Sequence, residues 1–320
     1  MGIQYFNDKV QVSHSLSKKE TDEINLHFKE NPEKIFRLYW FKEENNDFNF
    51  LKSMDYVKKL EINYSKLNDL KFLDNITNIE YLDINEIDGN PDIAPIANLI
   101  HLNVLNINLR KSTKQNDLKC LNNLKDLQEL NFNGKFKKNS LGTDFNKLTV
   151  FGPQLNCIDV SKIYCFNNLK TLKIFSQKIN TLDGLEKING LKTLMIHQVK
   201  MDTQEILTPI FSIEGLEKLS LAYIKTIEDF SFATDNETIN KLYLWPLNGL
   251  KSLNGIDKLK SLEYYSQCGE HENKNIIDFS EIKKLKYLKD VEIKVGTMNE
   301  EAEIKLNKLL EYYENKSNGT

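Results

Sequence analysis

The residue types that perform enzymatic chemistry occur in this chain, but they lack the spacing of known catalytic or metal-binding motifs. No two of the five histidines stand at the spacing of zinc ligands: His14, His27, His101, His197 and His271. The sequence contains no glycine-rich phosphate loop, no GxSxG turn and no HExxH helix. It therefore predicts a protein that is not an enzyme and that binds no cofactor and no metal.

The cysteines also lack a reactive pattern, because none of the four stands in a CxxC pair: Cys120, Cys157, Cys165 and Cys268. Reduced cysteines of this kind are most often small, buried, apolar residues. Cys120 and Cys165 fall among the apolar positions of a regular pattern, which favours that interpretation.

These apolar positions recur with a period of 22 residues, which is clearest from Leu172 to Leu194. Leu172 and Ile174 alternate as in a short strand with one buried face, and Leu194 restarts the pattern. The apolar residues between these strands recur every three residues, as in a turn of 3-10 helix: Leu182, Leu185 and Ile188. Neither half of such a unit can bury its apolar side alone, so the units must stack on one another.

The pattern predicts twelve strands, whose first buried residues are Leu38, Leu60, Leu82, Leu105, Leu130, Leu148, Leu172, Leu194, Leu219, Leu242, Leu262 and Val291. The spacing varies between them, and insertions in a stacked array must lie in loops. The longest insertion precedes Val291 and is predicted at residues 268–274, where it could contact a partner.

The pattern Leu-x-x-Leu-x-Leu/Ile followed by Ile-x-x-Leu-x-x-Leu-x-x-Ile resembles leucine-rich repeat proteins, particularly the 22-residue class of internalins and of SDS22-type regulatory subunits. This resemblance covers about residues 35–295. It implies an α/β solenoid shaped as a curved horseshoe, with a parallel β-sheet on the concave face and short helices or 3-10 turns on the convex face. The buried Asn of the family is mostly replaced here, for example by Ser65, Gln177 and Val199. We therefore expect its backbone-capping role to be met differently.

Residues 1–34 do not follow the repeat and are predicted to cap its first unit. Two short apolar stretches, 3–6 and 10–12, could pair as a hairpin. Ser17 and Glu20 form a capping-box pattern that opens a helix presenting Ile24 and Phe28.

Residues 296–320 are predicted to form a C-terminal capping helix after the solenoid of residues 35–295. Thr297 and Glu300 form a second capping-box pattern. The apolar residues that follow have the three- and four-residue spacing of an amphipathic helix: Ala302, Leu306, Leu309 and Tyr313. A dimerising or partner-binding helix is the alternative.

Residues between the buried strand positions point away from the core, to the concave face that the resemblance implies. On the later repeats they are mostly aromatic: Phe151, Phe175, Met195, His197, Tyr243, Trp245 and Tyr265. Exposed aromatic clusters mark binding surfaces, and Trp and Tyr are enriched in hot spots, so we interpret them as the anchor for a partner. Alternatively, the loop 268–274 covers them, or a one-residue shift of register places them in the core.

On the earlier repeats the same positions are polar: Glu61, Asn63, Asp83, Asn85, Asn106, Asn108, Asn131 and Asn133. Neighbouring Asn amides could satisfy one another in a solvated ladder. Alternatively, the face is mildly acidic, and Glu61 and Asp83 orient or steer a basic partner. Acid/base chemistry or cation binding by these two carboxylates is disfavoured, because an open sheet supplies no enclosed pocket to shift their pKa values.

Composition excludes several classes of partner for this chain of 320 residues. Its formal net charge of −3 argues against broad binding to nucleic-acid phosphates. No apolar run approaches membrane-spanning length and no secretory signal is visible, so we expect a cytoplasmic protein without membrane contact.

These features predict a non-enzymatic scaffold, monomeric when free, that binds another protein through its concave face. A bacterial adaptor or a toxin-neutralising protein would fit that description. Two alternatives stay open. By its resemblance the chain could be the regulatory subunit of an enzyme, or its concave aromatic residues could serve a carbohydrate-binding module.

Overall fold

The structure is a computed structural model, and it describes residues 2–42, 47–109, 111–153, 160–269, 279–294 and 300–318. The chain folds as two compact units, Met1–Asp159 and Val160–Thr320. Within the described ranges, every helix is too short or too polar to span a lipid bilayer.

The described residues of unit 1 form eight strands that pair in chain order: β1 (Gln4–Tyr5), β2 (Lys9–Val12), β3 (Ile35–Tyr39), β4 (Lys59–Asn63), β5 (Tyr81–Asn85), β6 (Val104–Leu109), β7 (Glu129–Gly134) and β8 (Val150–Gly152). β1 is antiparallel to β2, and every later pair of these strands is parallel. The α-helix α1 (Lys18–Glu30) follows the hairpin, and the 3-10 helices in the described part of this unit are Asn49–Ser53, Lys71–Asn75, Ala94–Asn98 and Leu118–Asn123.

Six strands lie within the described ranges of unit 2: β9 (Thr171–Phe175), β10 (Thr193–His197), β11 (Lys218–Ala222), β12 (Lys241–Leu244), β13 (Tyr264–Cys268) and β14 (Asp290–Lys294). Each pairs in parallel with the next. The described 3-10 helices of this unit are Val160–Cys165, Leu185–Lys187, Gln204–Ser212, Ile256–Lys258 and Ser280–Lys284, and the α-helix α2 (Glu300–Asn318) follows β14.

The core of each unit lies between the strands and the 3-10 helices. Along most strands, buried residues alternate with half-buried or exposed ones, as in β9, where Leu172 and Ile174 are fully buried. The apolar residues of the 3-10 segments close the core from the other side, as Leu182 and Leu185 do. We call the sheet surface that points away from this core the outward face.

The twelve predicted strands correspond to β3–β14, but three of their predicted first residues are wrong: Leu38, Leu148 and Leu262. The strand pairing gives those positions to aromatic residues: Phe36, Phe151 and Tyr265. Leu148 and Leu262 are instead buried residues of the turn that lies three positions before the strand residue. At β8 and β13 the leucine of this turn was therefore assigned as the first strand residue, because an aromatic residue occupies the true strand position.

The capping role of the missing Asn is met by a small hydroxyl and by backbone hydrogen bonds between repeats. The Ser65 hydroxyl accepts a hydrogen bond from the Phe41 N–H at 3.1 Å and donates to the Asn63 carbonyl at 3.1 Å. The Lys66 N–H donates to the Phe41 carbonyl at 3.0 Å, and the Asp88 N–H donates to the Ser65 carbonyl at 2.8 Å. The backbone of these turns is therefore satisfied without an Asn ladder.

The N-terminal segment has the predicted hairpin and capping box. Gln4 and Tyr5 pair with β2, and Ser17 and Glu20 exchange both hydrogen bonds of the capping box at the start of α1. Phe28 of α1 is buried, and its ring lies 5.8 Å from that of Phe36 on β3. The use of residues 1–34 as a cap stays a prediction.

The C-terminal helix α2 packs on the last described repeat. Leu306, Leu309 and Tyr313 are buried, as the periodicity predicts, and the Tyr313 hydroxyl donates to the Ile282 carbonyl at 3.2 Å. The side chain of Ala302 and the proposed capping residue Thr297 lie outside the described residues.

Candidate functional site

In unit 2, five of the predicted anchor residues lie on the outward face: Phe175, Met195, His197, Tyr243 and Trp245. Phe175 is 37% exposed and Trp245 is 44% exposed, while the other three side chains are half-buried. Phe175, Met195 and His197 lie on the adjacent strands β9 and β10, and β11 separates them from Tyr243 and Trp245, so all five share one side of the same sheet. We call the outward side chains of β9–β13, together with Trp245, the unit-2 face.

His197 is held between two neighbours on adjacent strands. Its ring lies 5.1 Å from the Phe175 ring, centroid to centroid, and its Nε2 atom lies 2.9 Å from the Ser220 hydroxyl oxygen. Burial lowers the pKa of His197 below its ordinary value. The imidazole is therefore a neutral contact group at pH 7, which can exchange one hydrogen bond and stack on an apolar group.

Small residues on β11 allow the larger side chains of β10 and β12 to come together. Ser220 lies between Met195 and Tyr243 in the strand register. Ser220 is 3% exposed and Ala222 is 1% exposed, although both point away from the core. Larger neighbours therefore cover them, and the face is closed over β11 by aromatic and imidazole groups.

Tyr243 has two ring partners that the sequence reading did not identify. The Lys218 ammonium lies 4.4 Å from the centroid of the Tyr243 ring, and the Tyr264 ring lies 5.1 Å away at 39°. Tyr264 points outward because its neighbour Tyr265 occupies the core position of β13. The prediction considered only the outward positions that follow the first core residue of each strand, and Tyr264 precedes it.

Trp245 directly follows β12 and is positioned by its backbone. Its N–H donates to the Leu221 carbonyl at 3.0 Å, which continues the parallel pairing by one residue. The carbonyl of the next residue, Pro246, accepts a hydrogen bond from the Tyr223 N–H at 2.9 Å. The chain is thus fixed on both sides of an indole that stays largely exposed.

Two predicted anchor residues do not belong to any surface. Phe151 and Tyr265 are both completely buried, because each is the first core residue of its strand rather than an outward one. The Tyr265 hydroxyl donates to the side-chain oxygen of Gln267 within the core, and burial raises its pKa. The alternative of a shifted register therefore applies to these two residues alone.

The proposed contact loop, residues 268–274, is described only at its start. Cys268 ends β13, and the Gly269 N–H donates to the Lys294 carbonyl at 2.8 Å. Residues 270–274 lie outside the described residues. The alternative that this loop covers the aromatic residues therefore also falls on residues that are not described.

In unit 1, Glu61 is not an exposed contact residue, which corrects the prediction made for it. Its residue exposure is only 8%, and its carboxylate accepts hydrogen bonds from Arg37 Nε and Nη2, each at 2.6 Å. Arg37 was not predicted to point outward, because the first core residue of β3 was assigned two positions too late, at Leu38 instead of Phe36. The ion pair compensates the charge that was expected to steer a partner.

Asp83 lies one strand further along and is half-buried. Burial, and secondly the charge of Glu61, raises its pKa, while Asn106 Nδ2 donates to its Oδ2 atom at 3.3 Å. The expectation that an open sheet could not shift this pKa is therefore wrong. Neighbouring side chains, including Tyr81 with its hydroxyl 3.4 Å from the same oxygen, exclude enough water to do so.

The asparagines of unit 1 form hydrogen-bonded ladders across the strands. Asn131 donates to Asn106 at 2.7 Å, and Asn108 donates to Asn85 at 2.9 Å. Gly152 on β8 leaves room for the Asn131 side chain, since a Cβ atom there would overlap its oxygen. These contacts favour the interpretation of a hydrogen-bonded polar ladder, although the buried Oδ1 atoms of Asn63 and Asn131 have no hydrogen-bond partner among the described residues.

An aromatic group at the ends of β3 and β4 was not predicted. The Tyr39 and Trp40 rings stack 5.7 Å apart at 8°, and Tyr64 meets Tyr39 edge-on at 5.5 Å. Trp40 is 56% exposed and Tyr64 is 51% exposed. Both have positive φ, at 53° and 52°, which is uncommon for bulky residues. Turn positions after a strand carry no hydrophobic period, so the pattern could not show them.

The cysteines do not form a site in the described parts of the chain, but the three that are described are less buried than predicted. Cys165 is exposed, Cys120 and Cys268 are half-buried, and Cys157 lies outside the described residues. Within the described ranges, no three His, Cys, Asp or Glu side chains come together as metal ligands would.

Comparison with known proteins identifies relatives in structure only. No family model and no curated protein matches the sequence. An internalin, InlF of Listeria monocytogenes, is 21% identical, with a TM-score of 0.53 over 89% of this chain and 86% of its own. A leucine-rich repeat protein of Leptospira interrogans is 18% identical, with a TM-score of 0.47 over 90% and 84%.

A third structure is a chain of the Toll–Spatzle complex from Drosophila. It is 11% identical, with a TM-score of 0.54 over 91% of this chain and 44% of its own. At these identities the likeness establishes a fold rather than an activity. Together with the parallel strands and the 3-10 turns of each repeat, it shows that this chain is a leucine-rich repeat solenoid.

Proposed function

We propose that this protein is a non-enzymatic scaffold that binds a partner protein through the unit-2 face. One observation carries the proposal: Phe175 and His197 are in ring contact on β9 and β10, Tyr243 and Trp245 lie two strands further on, and Phe175 and Trp245 are each more than one-third exposed. Large exposed aromatic residues on fixed backbone are the usual centres of protein interfaces. The internalin fold and the Toll–Spatzle complex add support, since the latter joins two proteins.

The decisive experiment compares two matched double variants in affinity capture from a native lysate. Phe175→Ala with Trp245→Ala removes the exposed aromatic residues of the unit-2 face. Trp40→Ala with Tyr64→Ala removes a comparable exposed pair from unit 1. Circular dichroism and urea unfolding first establish that both variants are folded.

A partner protein that is retained by the unit-1 variant and lost by the unit-2 variant supports the proposal. The reverse result would move the binding site to the ends of β3 and β4. A partner retained by both variants would show that neither aromatic surface is the interface.

As a finer proposal, the protein acts in the cytoplasm of a bacterium as a monomeric adaptor or as a toxin-neutralising protein. A regulatory subunit of an enzyme would use the same face, and capture of an enzyme whose activity changes on binding would distinguish that role. Carbohydrate binding loses support, because Tyr265, one of the aromatic residues expected to serve it, is buried.

A further inference from the structure

The unit-2 face carries positive charge as well as aromatic side chains. Three lysines point outward from its strands: Lys173, Lys218 and Lys241. The outward positions of β9–β13 include no Asp and no Glu. His197 adds no charge at pH 7, because burial lowers its pKa.

Lys218 and Lys241 lack the carboxylate partners that some other lysines of unit 2 have. Away from the face, Lys192 meets Glu217 at 2.5 Å and Lys251 meets Glu228 at 2.7 Å, in both cases on a neighbouring repeat. Among the described residues, Lys218 and Lys241 have no carboxylate partner, although they are paired in the register of β11 and β12. Two lysines on adjacent strands without a counter-charge favour an external anion.

The lysines and the aromatic residues occupy opposite ends of the strands, and this arrangement restricts which ligand could contact both. Lys218 and Lys241 lie at the starts of their strands, whereas Phe175, His197 and Trp245 lie at the strand ends. Lys241 and Trp245 are four positions apart in the chain, so their Cα atoms are separated by about 13 Å at 3.3 Å per residue. An acidic group and an apolar group at that separation would meet both parts of the surface.

Three observations favour a polypeptide over a nucleic acid. The positive charge is limited to a few lysines and includes no arginine fork for phosphates. The next strand, β14, presents exposed Asp290 and Glu292, so the positive surface ends there and is too short to follow an extended phosphate backbone. The aromatic half of the surface suits an apolar side chain.

We propose that the unit-2 face binds an acidic segment of its partner protein, in which carboxylates contact Lys218 and Lys241 and an apolar side chain packs near Trp245. This inference rests on the proposed function, since it describes the partner of the same surface. It reverses the expectation from sequence, which assigned the carboxylates Glu61 and Asp83 to a basic partner.

The test uses the full chain on a biosensor with two soluble probes, a random copolymer of Glu and Tyr and a random copolymer of Lys and Tyr. We expect the acidic copolymer to bind more tightly, and its binding to weaken as salt is raised. Lys218→Gln with Lys241→Gln should weaken it by about tenfold or more, the scale of one lost charge contact. The control, Lys192→Gln with Lys251→Gln, removes two paired lysines outside the face and should leave binding unchanged.

Equal binding of the two copolymers, no binding of the acidic one, or no effect of the Lys218 and Lys241 changes would overturn the inference. If a captured partner still depends on Phe175 and Trp245, the proposed function survives that failure. A labelled oligo(dT) that binds more tightly than the acidic copolymer, and that loses binding in the Lys218/Lys241 variant, would also overturn it and assign the face to nucleic acid.

Discussion

Arg37 on β3 donates hydrogen bonds to the carboxylate of Glu61 on β4, and both side chains lie on the outward face yet are mostly shielded from water. Side-chain exposure is 22% for Arg37 and 11% for Glu61. Removing one partner of such a pair leaves the other charge poorly solvated, while removing both partners does not.

Arg37→Met is therefore expected to lower the free energy of unfolding by about 1–3 kcal/mol, because it leaves Glu61 without its donors. Adding Glu61→Leu should restore part of that loss. Urea unfolding of the two single variants and the double variant measures the coupling. As a control, Lys58→Met breaks the more exposed pair with Glu80 and should cost less than about 1 kcal/mol. If Arg37→Met and Lys58→Met lowered the free energy of unfolding equally, the structural role of Arg37 would be contradicted.

Phe151 and Phe175 provide a matched test of which residues are core and which are surface. Phe151→Ala should destabilise unit 1 by about 3–5 kcal/mol, because it leaves a cavity at a completely buried position. Phe175→Ala should cost no more than about 1 kcal/mol, because its ring is already partly in solvent. Urea or thermal unfolding of both variants measures the difference. A similar loss from both would mean that Phe175 packs in the core.

Asp83→Asn is expected to stabilise the protein at pH 7. The raised pKa means that the folded state disfavours the charged carboxylate, so stability is lost as the pH rises through the folded pKa. An amide avoids that charge and can still accept the hydrogen bond from Asn106. The advantage of the variant should disappear in acid, where the carboxyl group is protonated in both states.

Urea midpoints of wild type and Asp83→Asn across pH measure this difference. Asp126→Asn is a suitable control, because its ion pair with Lys147 lowers the pKa of Asp126 and the substitution should not stabilise. A neutral-pH loss of stability in Asp83→Asn would refute the assignment.

His197 should make the stability of unit 2 depend on pH in the opposite direction to Asp83, with stability lost as the pH falls. Because burial lowers its pKa in the folded state, the unfolded state takes up a proton first as the pH falls below about 6.5. Wild type should therefore lose stability in that range, until the pH falls below the folded pKa. In His197→Gln the corresponding loss should be smaller. Parallel midpoint curves for the two proteins would show that His197 does not contribute.

The repeat itself could be predicted from sequence because its period is a direct consequence of packing. Leu172, Leu194 and Leu219 recur where the strands must bury one face, and the structure has a strand at each. The capping box of Ser17 and Glu20 was equally visible, because both of its hydrogen bonds are local in sequence.

The candidate site was harder to predict, because a face depends on the register of every strand. An aromatic residue in place of the first strand leucine moved the assignment of Phe151 and Tyr265 from core to surface. The contacts of Lys218 with Tyr243 and of Arg37 with Glu61 join residues on different repeats. No local pattern records such contacts, since they arise only when the strands stack.

The short antiparallel strand β1 has a consequence for self-association. A parallel sheet offers unpaired backbone groups at its outer strand, and a second molecule could extend it in the same direction. Here β1 covers β2 with only two residues running the other way, Gln4 and Tyr5. Such a strand is a poor template for another repeat, so we expect it to disfavour fibre-like growth at this end of unit 1 by addition of further chains.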